Sequence, residues 1–251
     1  RFRIQCLRSI LINTHMIEAA YRAGAQRYFY ASSACAYNTE LQKDPNCRAL
    51  RESDAFPAMA ERGYGWEKLM SEMFCQEYWA ERGMKTAIAR FHNVYGPHGT
   101  WDGGREKAPA AICRKVIEAK DKNTDGIEIW GDGTQTRSFM YIDDCTDGID
   151  RIMHCDQLIA TPINLGSSEL ISINALVSLA EEIGGVKLRR TYDLNAPRGV
   201  AGRNSDNTMI QSILGWEPTT PFRTGLAQTY AWIAEQYEDR KAGRRTVHDT
   251  I

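Results

Sequence analysis

The fold is decided by three stretches of sequence: RYFYASS at 27–33, YGWEKLMSEMFCQEYWAER at 64–82 and KTAIARFHNVYGP at 85–97. The first stretch is short, apolar and rich in aromatic residues, as in a buried strand. The second predicts a long helix that ends before Gly83, because glycine commonly terminates helices. The third predicts another strand, closed by a Gly-Pro turn. A strand, a helix and a strand in this order predict a parallel βαβ unit and hence an α/β sheet.

The rest of the chain continues the same alternation. Residues 10–22 carry apolar side chains at helical spacing, and Gly24 follows them as a stop signal. The polar stretch that contains Pro45 and Pro57 is too irregular for a regular element. Further helices are predicted at 108–120, 143–154, 173–183, 207–214 and 222–241, and further strands at 127–130, 137–142, 162–166 and 187–192. We therefore expect a doubly wound, Rossmann-like parallel sheet, incomplete on its N-terminal side, with a smaller α+β domain.

Composition excludes several classes of function. The 251 residues include 31 basic and 32 acidic side chains, so no basic excess is available to neutralise a nucleic acid. No apolar run approaches the roughly 20 residues that span a bilayer, which argues against a membrane protein. The seven cysteines form no C-x-x-C pair, which favours reduced thiols in a cytoplasm over disulfides or a zinc site. The first residue is Arg rather than Met, so we expect the sequence to begin inside a longer chain.

Tyr64 and Lys68 are the first candidates for catalysis. They stand four residues apart at the start of a predicted helix and therefore share one face. A phenol with a pKa near ~10 is a poor base, but a neighbouring ammonium favours the phenolate. The pair can then remove a hydroxyl proton while hydride leaves the attached carbon. Alone, Y-x-x-x-K occurs by chance in many helices. Here Ser33 ends the preceding strand, and ligands bind at the carboxyl edge of such sheets.

This arrangement of Ser, Tyr and Lys resembles the extended short-chain dehydrogenase/reductases. Further matching motifs follow in order: RFHNVYGP at 90–97, GDG at 131–133 with Gln135, Arg137 and Phe139, YIDD at 141–144 and NLG at 164–166. The resemblance implies a nucleotide-sugar substrate, NAD as cofactor and catalysis by Ser33, Tyr64 and Lys68. It also implies that the cofactor contacts Ser33, Ala34, Cys35, Tyr64 and Lys68.

Two strings are most similar to one branch of that family, the 3,5-epimerases of GDP-hexoses. They are SSAC at 32–35 and GGREKAPAA at 103–111, and GVAGRNSD at 199–206 agrees with them. This resemblance implies an isomerase that oxidises carbon 4 transiently with NAD and then exchanges protons at carbons 5 and 3. Cys35 would be the base, since a thiol titrates near ~8.5 and lower beside cations. Lys107 would supply a proton from the opposite face.

The resemblance also implies a set of residues that hold the nucleotide sugar: Asn93, Glu106, Lys107, Ala108, Lys115, Gln135, Thr136, Arg137 and Arg203. Arg137 and Arg203 are the natural diphosphate partners, because a guanidinium fork matches phosphate oxygens. For Lys107 and Arg203 the alternative is a solvated surface charge. For Cys35 the alternative is a small buried apolar residue.

The likeness to the family also predicts the organisation of the chain. Residues 1–97 and 139–168 would form the C-terminal part of the NAD-binding domain, and residues 98–138 and 169–251 the nucleotide-sugar-binding domain. No G-x-x-G-x-x-G turn follows a first strand, so about three βα units would lie outside the sequence. The helices at 10–22 and 64–82 would form a homodimer interface, because a helix that is apolar on more than one side must bury both.

Two alternatives remain open at this point. One is a UDP- or dTDP-sugar 4-epimerase or 4,6-dehydratase on the same scaffold. A dehydratase normally carries an acidic pair just after the Ser-Ser turn, and Cys35-Ala36-Tyr37 supplies none. The other alternative is a non-catalytic nucleotide-sugar-binding or assembly fragment, which the missing glycine-rich turn favours.

Overall fold

The computed structural model describes residues 2–197 and 199–244, with side chains from residue 6 onward. Its helices are α1 (Phe2–Arg22), α2 (Tyr64–Arg82), α3 (Ala108–Asp121), α4 (Ile142–His154), α5 (Ile173–Gly184), α6 (Thr208–Leu214) and α7 (Phe222–Lys241). Its strands are β1 (Arg27–Ser33), β2 (Lys85–Phe91), β3 (Asn93–Tyr95), β4 (Gly126–Trp130), β5 (Thr136–Tyr141), β6 (Pro162–Leu165), β7 (Leu170–Ser172), β8 (Arg189–Asp193) and β9 (Gly202–Arg203).

The first sheet is parallel and has the strand order β1-β2-β6. Helices cover both of its faces. On one face, α1 and α2 pack against the sheet in a cluster that includes Ile17, Cys75 and Ile88. On the other face, α4 and α6 pack in a cluster that includes Ile152 and Ile163. A parallel sheet buried on both faces is the doubly wound α/β arrangement, so the predicted fold class is confirmed.

The remaining strands form two further sheets, one of four strands and one of two. Strands β3, β5 and β7 pair in that order, β9 pairs with β5, and β4 pairs with β8. A large apolar cluster joins these strands to α3, α5 and α7, with Val116, Val177 and Leu226 fully buried. Among the described helices, none is long and apolar enough to cross a membrane. The domain boundaries at 97, 138 and 168 stay a prediction.

Most elements agree with the sequence-based prediction to within one or two residues, and three differences have a physical cause. Helix α1 begins at Phe2 rather than at residue 10, because no glycine or proline precedes residue 10 to stop it. The strand predicted at 85–97 is divided at His92, whose N–H donates to the carbonyl of Leu165 (3.0 Å). The chain leaves the first sheet there and enters the second as β3.

The third difference concerns short elements that the sequence analysis missed. Strands β7 and β9 are only three and two residues long, too short for an alternating pattern to appear. The segment around Pro45 and Pro57, expected to be irregular, contains short 3-10 helices at Thr39–Gln42 and Glu52–Ala55.

Candidate active site

The candidate site lies at the carboxyl end of β1, where the start of α2 meets the turn that follows the strand. Residues Ala34–Ala36 form a 3-10 turn, and Ser33 Oγ accepts the N–H of Cys35 (3.2 Å). The N–H of Glu61 donates to the carbonyl of Cys35 (3.0 Å). A Cβ added at Gly65 would lie 2.1 Å from that same carbonyl oxygen. The absence of a side chain at position 65 therefore lets Tyr64 approach the turn that carries Cys35.

Tyr64 and Lys68 occupy one face of α2, as the sequence predicts. The Tyr64 side chain is 49% exposed, so a ligand can reach the phenol. Lys68 Nζ lies 5.3 Å from the centre of the Tyr64 ring and 5.0 Å from that of Tyr30. The ammonium donates a hydrogen bond to the main-chain oxygen of Ala31 (3.0 Å). The structure thus brings the phenol and the ammonium together, as the sequence predicts.

The expected acidity of Tyr64 is not found in this structure. Burial raises the pKa of the phenol, and the neighbouring Cys35 raises it further. A hydrogen bond with the Ser33 side chain opposes both effects without overcoming them. The expectation that the neighbouring ammonium lowers this pKa is therefore wrong for the protein without ligands, because burial and the Cys35 thiol raise it.

The thiol of Cys35 is in contact with a guanidinium. Arg203 Nη1 lies 3.4 Å from Cys35 Sγ, and Arg203 is only 8% exposed. The same guanidinium donates through Nε to Gln42 Oε1 (2.6 Å), and its Nη2 lies 3.6 Å from Glu61 Oε2. Arg203 therefore donates toward the sulfur while its other nitrogens face Gln42 and Glu61. The interpretation of Arg203 as a solvated surface charge is wrong, since the side chain is buried against the candidate base.

Arg137 lies beside Arg203. The two residues are register partners on the paired strands β5 and β9. Arg137 donates to the main-chain oxygens of Val200 (2.5 Å) and Ala201 (3.4 Å). Its pKa is lowered to about 10, chiefly by burial and then by the positive charge of Arg203. A buried and a half-buried guanidinium side by side form a favourable site for a multiply charged anion.

A cavity of about 290 Å³ adjoins Arg137. Its lining residues are Pro45, Asp132, Thr134, Gln135, Gly199, Val200 and Ala201. Gln135 Nε2 donates to the main-chain oxygen of Trp130 (2.8 Å), whereas its buried Oε1 has no hydrogen-bond partner within the described residues. An unpaired buried amide oxygen next to a cavity is suited to accept a hydrogen bond from a ligand.

Three other residues predicted to bind substrate are not among the lining residues of this cavity: Asn93 lies on β3, Thr136 on β5, and Lys115 on α3, where it lines a separate cavity of about 260 Å³. Asn93 Nδ2 donates to the main-chain oxygen of Ser138 (3.1 Å), and the Thr136 hydroxyl donates to that of Pro45. Lys115 Nζ donates to the main-chain oxygen of Glu128 (2.8 Å), and burial lowers its pKa. These side chains are held by the protein backbone, and their roles in ligand binding stay predictions.

The loop that contains Lys107 is anchored through its neighbour. Glu106 forms an ion pair with Arg114 (3.1 Å), which lowers the pKa of Glu106 although burial raises it. Lys107 is the residue before α3, and its exposed side chain makes no hydrogen bond or ion pair with the described residues. Ala108 begins the helix. The structure thus groups Ser33, Cys35, Tyr64 and Lys68 with both arginines, and it leaves Lys107 on a loop outside that hydrogen-bonded group.

Sequence reasoning missed Gln42 and Glu61, which hold Arg203. Gln42 is almost fully buried in a segment without a regular pattern, so no signal in the sequence marks it. Glu61 precedes Tyr64 by three residues, and its carbonyl accepts the N–H of Gly65 (3.0 Å). An acidic residue just before a catalytic helix could have been noticed. In the described ranges, no group of three or more His, Cys, Asp or Glu side chains is arranged to hold a metal.

Comparison with known proteins assigns the chain to a family. The model of the NAD dependent epimerase/dehydratase family matches residues 6–166, and the chain belongs to that family. The solved structure of UDP-glucose 4-epimerase with UDP-glucose from Thermotoga maritima superposes with a TM-score of 0.78 at 22% identity. That superposition covers 90% of this chain and 69% of that one, and it supports the fold.

Within the family, two curated relatives share nearly half of their aligned residues with this chain. It is 47% identical over 232 residues to GDP-mannose 3,5-epimerase of Arabidopsis thaliana and 46% identical over 231 residues to GDP-mannose 3,5-epimerase 1 of Oryza sativa subsp. indica. Each match covers 92% of this chain but only 60% and 59% of the relative. The chain thus spans about 60% of the length of these proteins.

Proposed function

We propose that this chain carries the reacting residues of a cytoplasmic GDP-mannose 3,5-epimerase. The observation that supports the proposal most strongly is the Cys35 thiol, which contacts a buried guanidinium and lies beside Tyr64. A simple 4-epimerase needs a base for a hydroxyl proton and has no use for a cation-stabilised thiol. The 46–47% identity to two proteins named GDP-mannose 3,5-epimerase agrees with this reading.

The residues present fit the nicotinamide end of NAD. Lys68 donates to one carbonyl oxygen, so its ammonium retains further donors that ribose hydroxyls can accept. Tyr64 is half-exposed at the same edge. Lys68, Tyr64 and the Ser33–Cys35 turn would hold the cofactor there, with Ala34 contributing its main chain because its side chain is buried. When bound, NAD supplies the hydride acceptor for carbon 4.

Oxidation at carbon 4 requires removal of a hydroxyl proton, which we assign to Tyr64. The Ser33 side chain forms a hydrogen bond with the Tyr64 phenol and favours its ionised form. Lys68 adds a positive charge 5.3 Å from the ring. Both groups act against burial and the neighbouring thiol, and together they allow the phenol to accept the proton and later return it.

Proton exchange at carbons 5 and 3 is assigned to Cys35. A ketone at carbon 4 acidifies the hydrogens on both neighbouring carbons, so a thiolate is a strong enough base. Arg203 stabilises that thiolate through the 3.4 Å contact. Lys107 is the proposed acid for the opposite face of the sugar. Its exposed side chain forms no ion pair with the described residues and can turn toward the sugar ring of the substrate.

The diphosphate and nucleoside are assigned to the second group of residues. Arg137 and Arg203 are the proposed diphosphate partners, because they lie side by side on β5 and β9 and a guanidinium fork matches phosphate oxygens. The 290 Å³ cavity beside Arg137 would hold the base, with the free Oε1 of Gln135 accepting a hydrogen bond from it. Asn93, Glu106, Ala108, Lys115 and Thr136 would complete the binding surface by analogy with the family.

The proposal is tested with GDP-mannose and NAD in deuterated water, followed by NMR of the sugar. Deuterium at carbons 3 and 5 is the expected result, and a sample without added NAD is the control. Inversion at carbon 4 without deuterium at carbons 3 and 5 would instead indicate a 4-epimerase. Binding of GDP-mannose without any exchange would indicate a non-catalytic nucleotide-sugar-binding chain.

We also propose that α1 and α2 form the interface of a homodimer. Their outer faces expose a group of large apolar side chains: Leu7, Leu11, Ile12, Met16, Trp66, Met70 and Met73. Apolar side chains clustered on two adjacent helices are a common sign of a protein interface. Two copies meeting through these helices would bury them in a four-helix bundle.

A further inference from the structure

A buried polar cluster lies next to the Tyr64–Lys68 pair and has no part in the function proposed above. It joins α1, β1 and α2 through Asn13, Tyr30, Glu67 and Ser71. Asn13 Nδ2 donates to Glu67 Oε1 (2.5 Å) and lies within reach of Ser71 Oγ (3.1 Å) and the Tyr30 hydroxyl (3.3 Å). Ser71 Oγ donates to the main-chain oxygen of Glu67 (2.9 Å). The cluster therefore fixes one carboxylate in the interior.

The carboxylate of Glu67 is unusual among the buried acidic groups. Glu67 is 1% exposed, and its Oε2 has no hydrogen-bond partner in the described part of the chain. By contrast, both oxygens of the buried Glu72 are bonded by Arg90 (3.0 and 2.8 Å). Within the described residues, Glu67 forms an ion pair with Lys68, whose Nζ lies 3.9 Å from Glu67 Oε1. A buried carboxylate with incomplete hydrogen bonding reduces the stability of the folded protein. Its presence here therefore points to a role for its negative charge.

Glu67 is not needed to hold Lys68 in place. The Lys68 ammonium is fixed by the main-chain oxygen of Ala31 (3.0 Å) and by the rings of Tyr30 and Tyr64. Because these contacts remain when the carboxylate is neutralised, the effect of Glu67 on the site is electrostatic. A negative charge this close to Lys68 cancels part of the positive potential that reaches the Tyr64 phenol.

We propose that Glu67 is a positioning residue for the proton chemistry of Tyr64: its buried negative charge offsets that of Lys68 and sets how readily the phenol releases its proton. This rests on the proposed role of Tyr64 as a proton acceptor. The negative charge of Glu67 strengthens the hold of the phenol on the proton that it accepts from the sugar hydroxyl and must later return.

The other ionisable groups that face Tyr64 come from each neighbouring segment. Cys35 lies on the 3-10 turn, Glu61 on the segment before α2, and Tyr30 on β1. Burial and Cys35 raise the pKa of Tyr64 most, and the negative charges of Glu67 and then Glu61 add to the increase. A change at position 67 leaves Cys35 and Glu61 in place. Removal of the Glu67 charge is therefore expected to lower the pKa of Tyr64.

The test is a titration of Glu67→Gln, which keeps the side-chain shape and one oxygen acceptor but removes the charge. Protein labelled with carbon-13 at tyrosine Cζ is titrated by NMR, and Tyr64→Phe identifies the Tyr64 signal. The Tyr64 midpoint is expected to fall by about one pH unit. An unchanged or higher midpoint overturns the proposal. Because no sugar is present, the outcome is independent of the substrate proposed above.

Two further variants keep the test decisive. Ser71→Ala removes a hydrogen bond from the same cluster without changing its charge, and it is expected to leave the Tyr64 midpoint in place. An equal fall in Ser71→Ala would show that packing rather than charge controls the phenol, which overturns the proposal. If Glu67→Gln does not fold, Glu67→Met replaces the carboxylate by an apolar chain of similar length and has the same expected result.

Discussion

Arg203 and Cys35 are 168 residues apart in sequence, yet a guanidinium nitrogen of one lies 3.4 Å from the sulfur of the other. The contact depends on β9, a two-residue strand that pairs with β5 and carries Arg203 toward the turn after β1. The contact connects the first sheet with the sheet that contains β5 and β9, at the carboxyl end of β1 where the proposed reacting groups lie.

Replacement of Cys35 by Ser is expected to separate the two halves of the proposed reaction. A hydroxyl in that position cannot act as a carbon base near neutral pH, so deuterium incorporation at carbon 5 should fall at least 100-fold. NADH formation by Tyr64 should persist. Both are measured on the same sample, by NMR and by absorbance at 340 nm. Exchange at the full rate would show that another residue is the base.

Replacement of Arg203 by Gln is expected to make the Cys35 thiol less reactive. Loss of the adjacent cation disfavours the thiolate, so alkylation of Cys35 by iodoacetamide at pH 7.5 should slow several-fold. The rate is measured by mass spectrometry of the peptide that contains residue 35. Arg51→Gln is the matched control, since it removes an exposed guanidinium whose ion pair is with Asp206 (3.1 Å). Equal rates in the wild type and in Arg203→Gln would contradict this role.

The buried ion pair between Arg90 and Glu72 is expected to be important for folding. It joins β2 to α2, and Arg90 also donates to the main-chain oxygen of Glu52 (2.7 Å). Arg90→Met leaves a buried carboxylate unpaired and should reduce the free energy of unfolding by about 3–5 kcal/mol. Urea denaturation measures the loss.

Two controls accompany that measurement. The double variant Arg90→Met with Glu72→Leu should recover much of the stability, because no unpaired charge remains. Arg223→Met removes an exposed ion pair with Glu182 and should have little effect. Similar losses from Arg223→Met and Arg90→Met would contradict the explanation by burial.

His92 is expected to make the protein less stable in mild acid. Burial lowers its pKa to about 4, and the neutral ring donates through Nε2 to Asn164 Oδ1 (3.1 Å). The unfolded chain binds a proton near pH 6.5, so stability is full above that value and falls as the pH drops from 6.5 toward 4. Between pH 6.5 and 5 the loss should be about 2 kcal/mol.

The measurement is urea denaturation at several pH values, compared with His92→Gln. The variant has no proton to gain at this position, so its stability should depend less on pH in the same range. Parallel pH curves for the two proteins would contradict the assignment to His92 and would point to carboxylates instead.

A charge on the outer face of α1 or α2 is expected to break the proposed dimer. Met70→Glu introduces a carboxylate among exposed apolar side chains and should yield a monomer in light scattering during size-exclusion chromatography. Arg22→Glu, at the end of α1, is a control for added negative charge. A wild-type protein that is already monomeric would contradict the dimer.

Local sequence patterns predicted the helix and the strand that carry the candidate site. They did not predict the contacts between segments that are distant in sequence. The bounds of α2 follow from Tyr64 at its start and from Gly83, which adopts the left-handed conformation (φ 67°) at its end. Strand β1 follows from its apolar run. The Arg203–Cys35 contact depends on the register of a two-residue strand, which no periodic pattern encodes. The raised pKa of Tyr64 depends on burial, which a sequence motif does not reveal.

Gly65 determines how closely the two proposed bases, Tyr64 and Cys35, can approach each other. The helix that carries the phenol touches the backbone of the thiol turn at a point where even a methyl group, 2.1 Å from an oxygen, cannot fit. The distance between the group that accepts a hydroxyl proton and the group that accepts a carbon-bound one is thus set by a residue that has no functional group of its own. Alanine at that position would widen the gap while leaving every reactive atom intact.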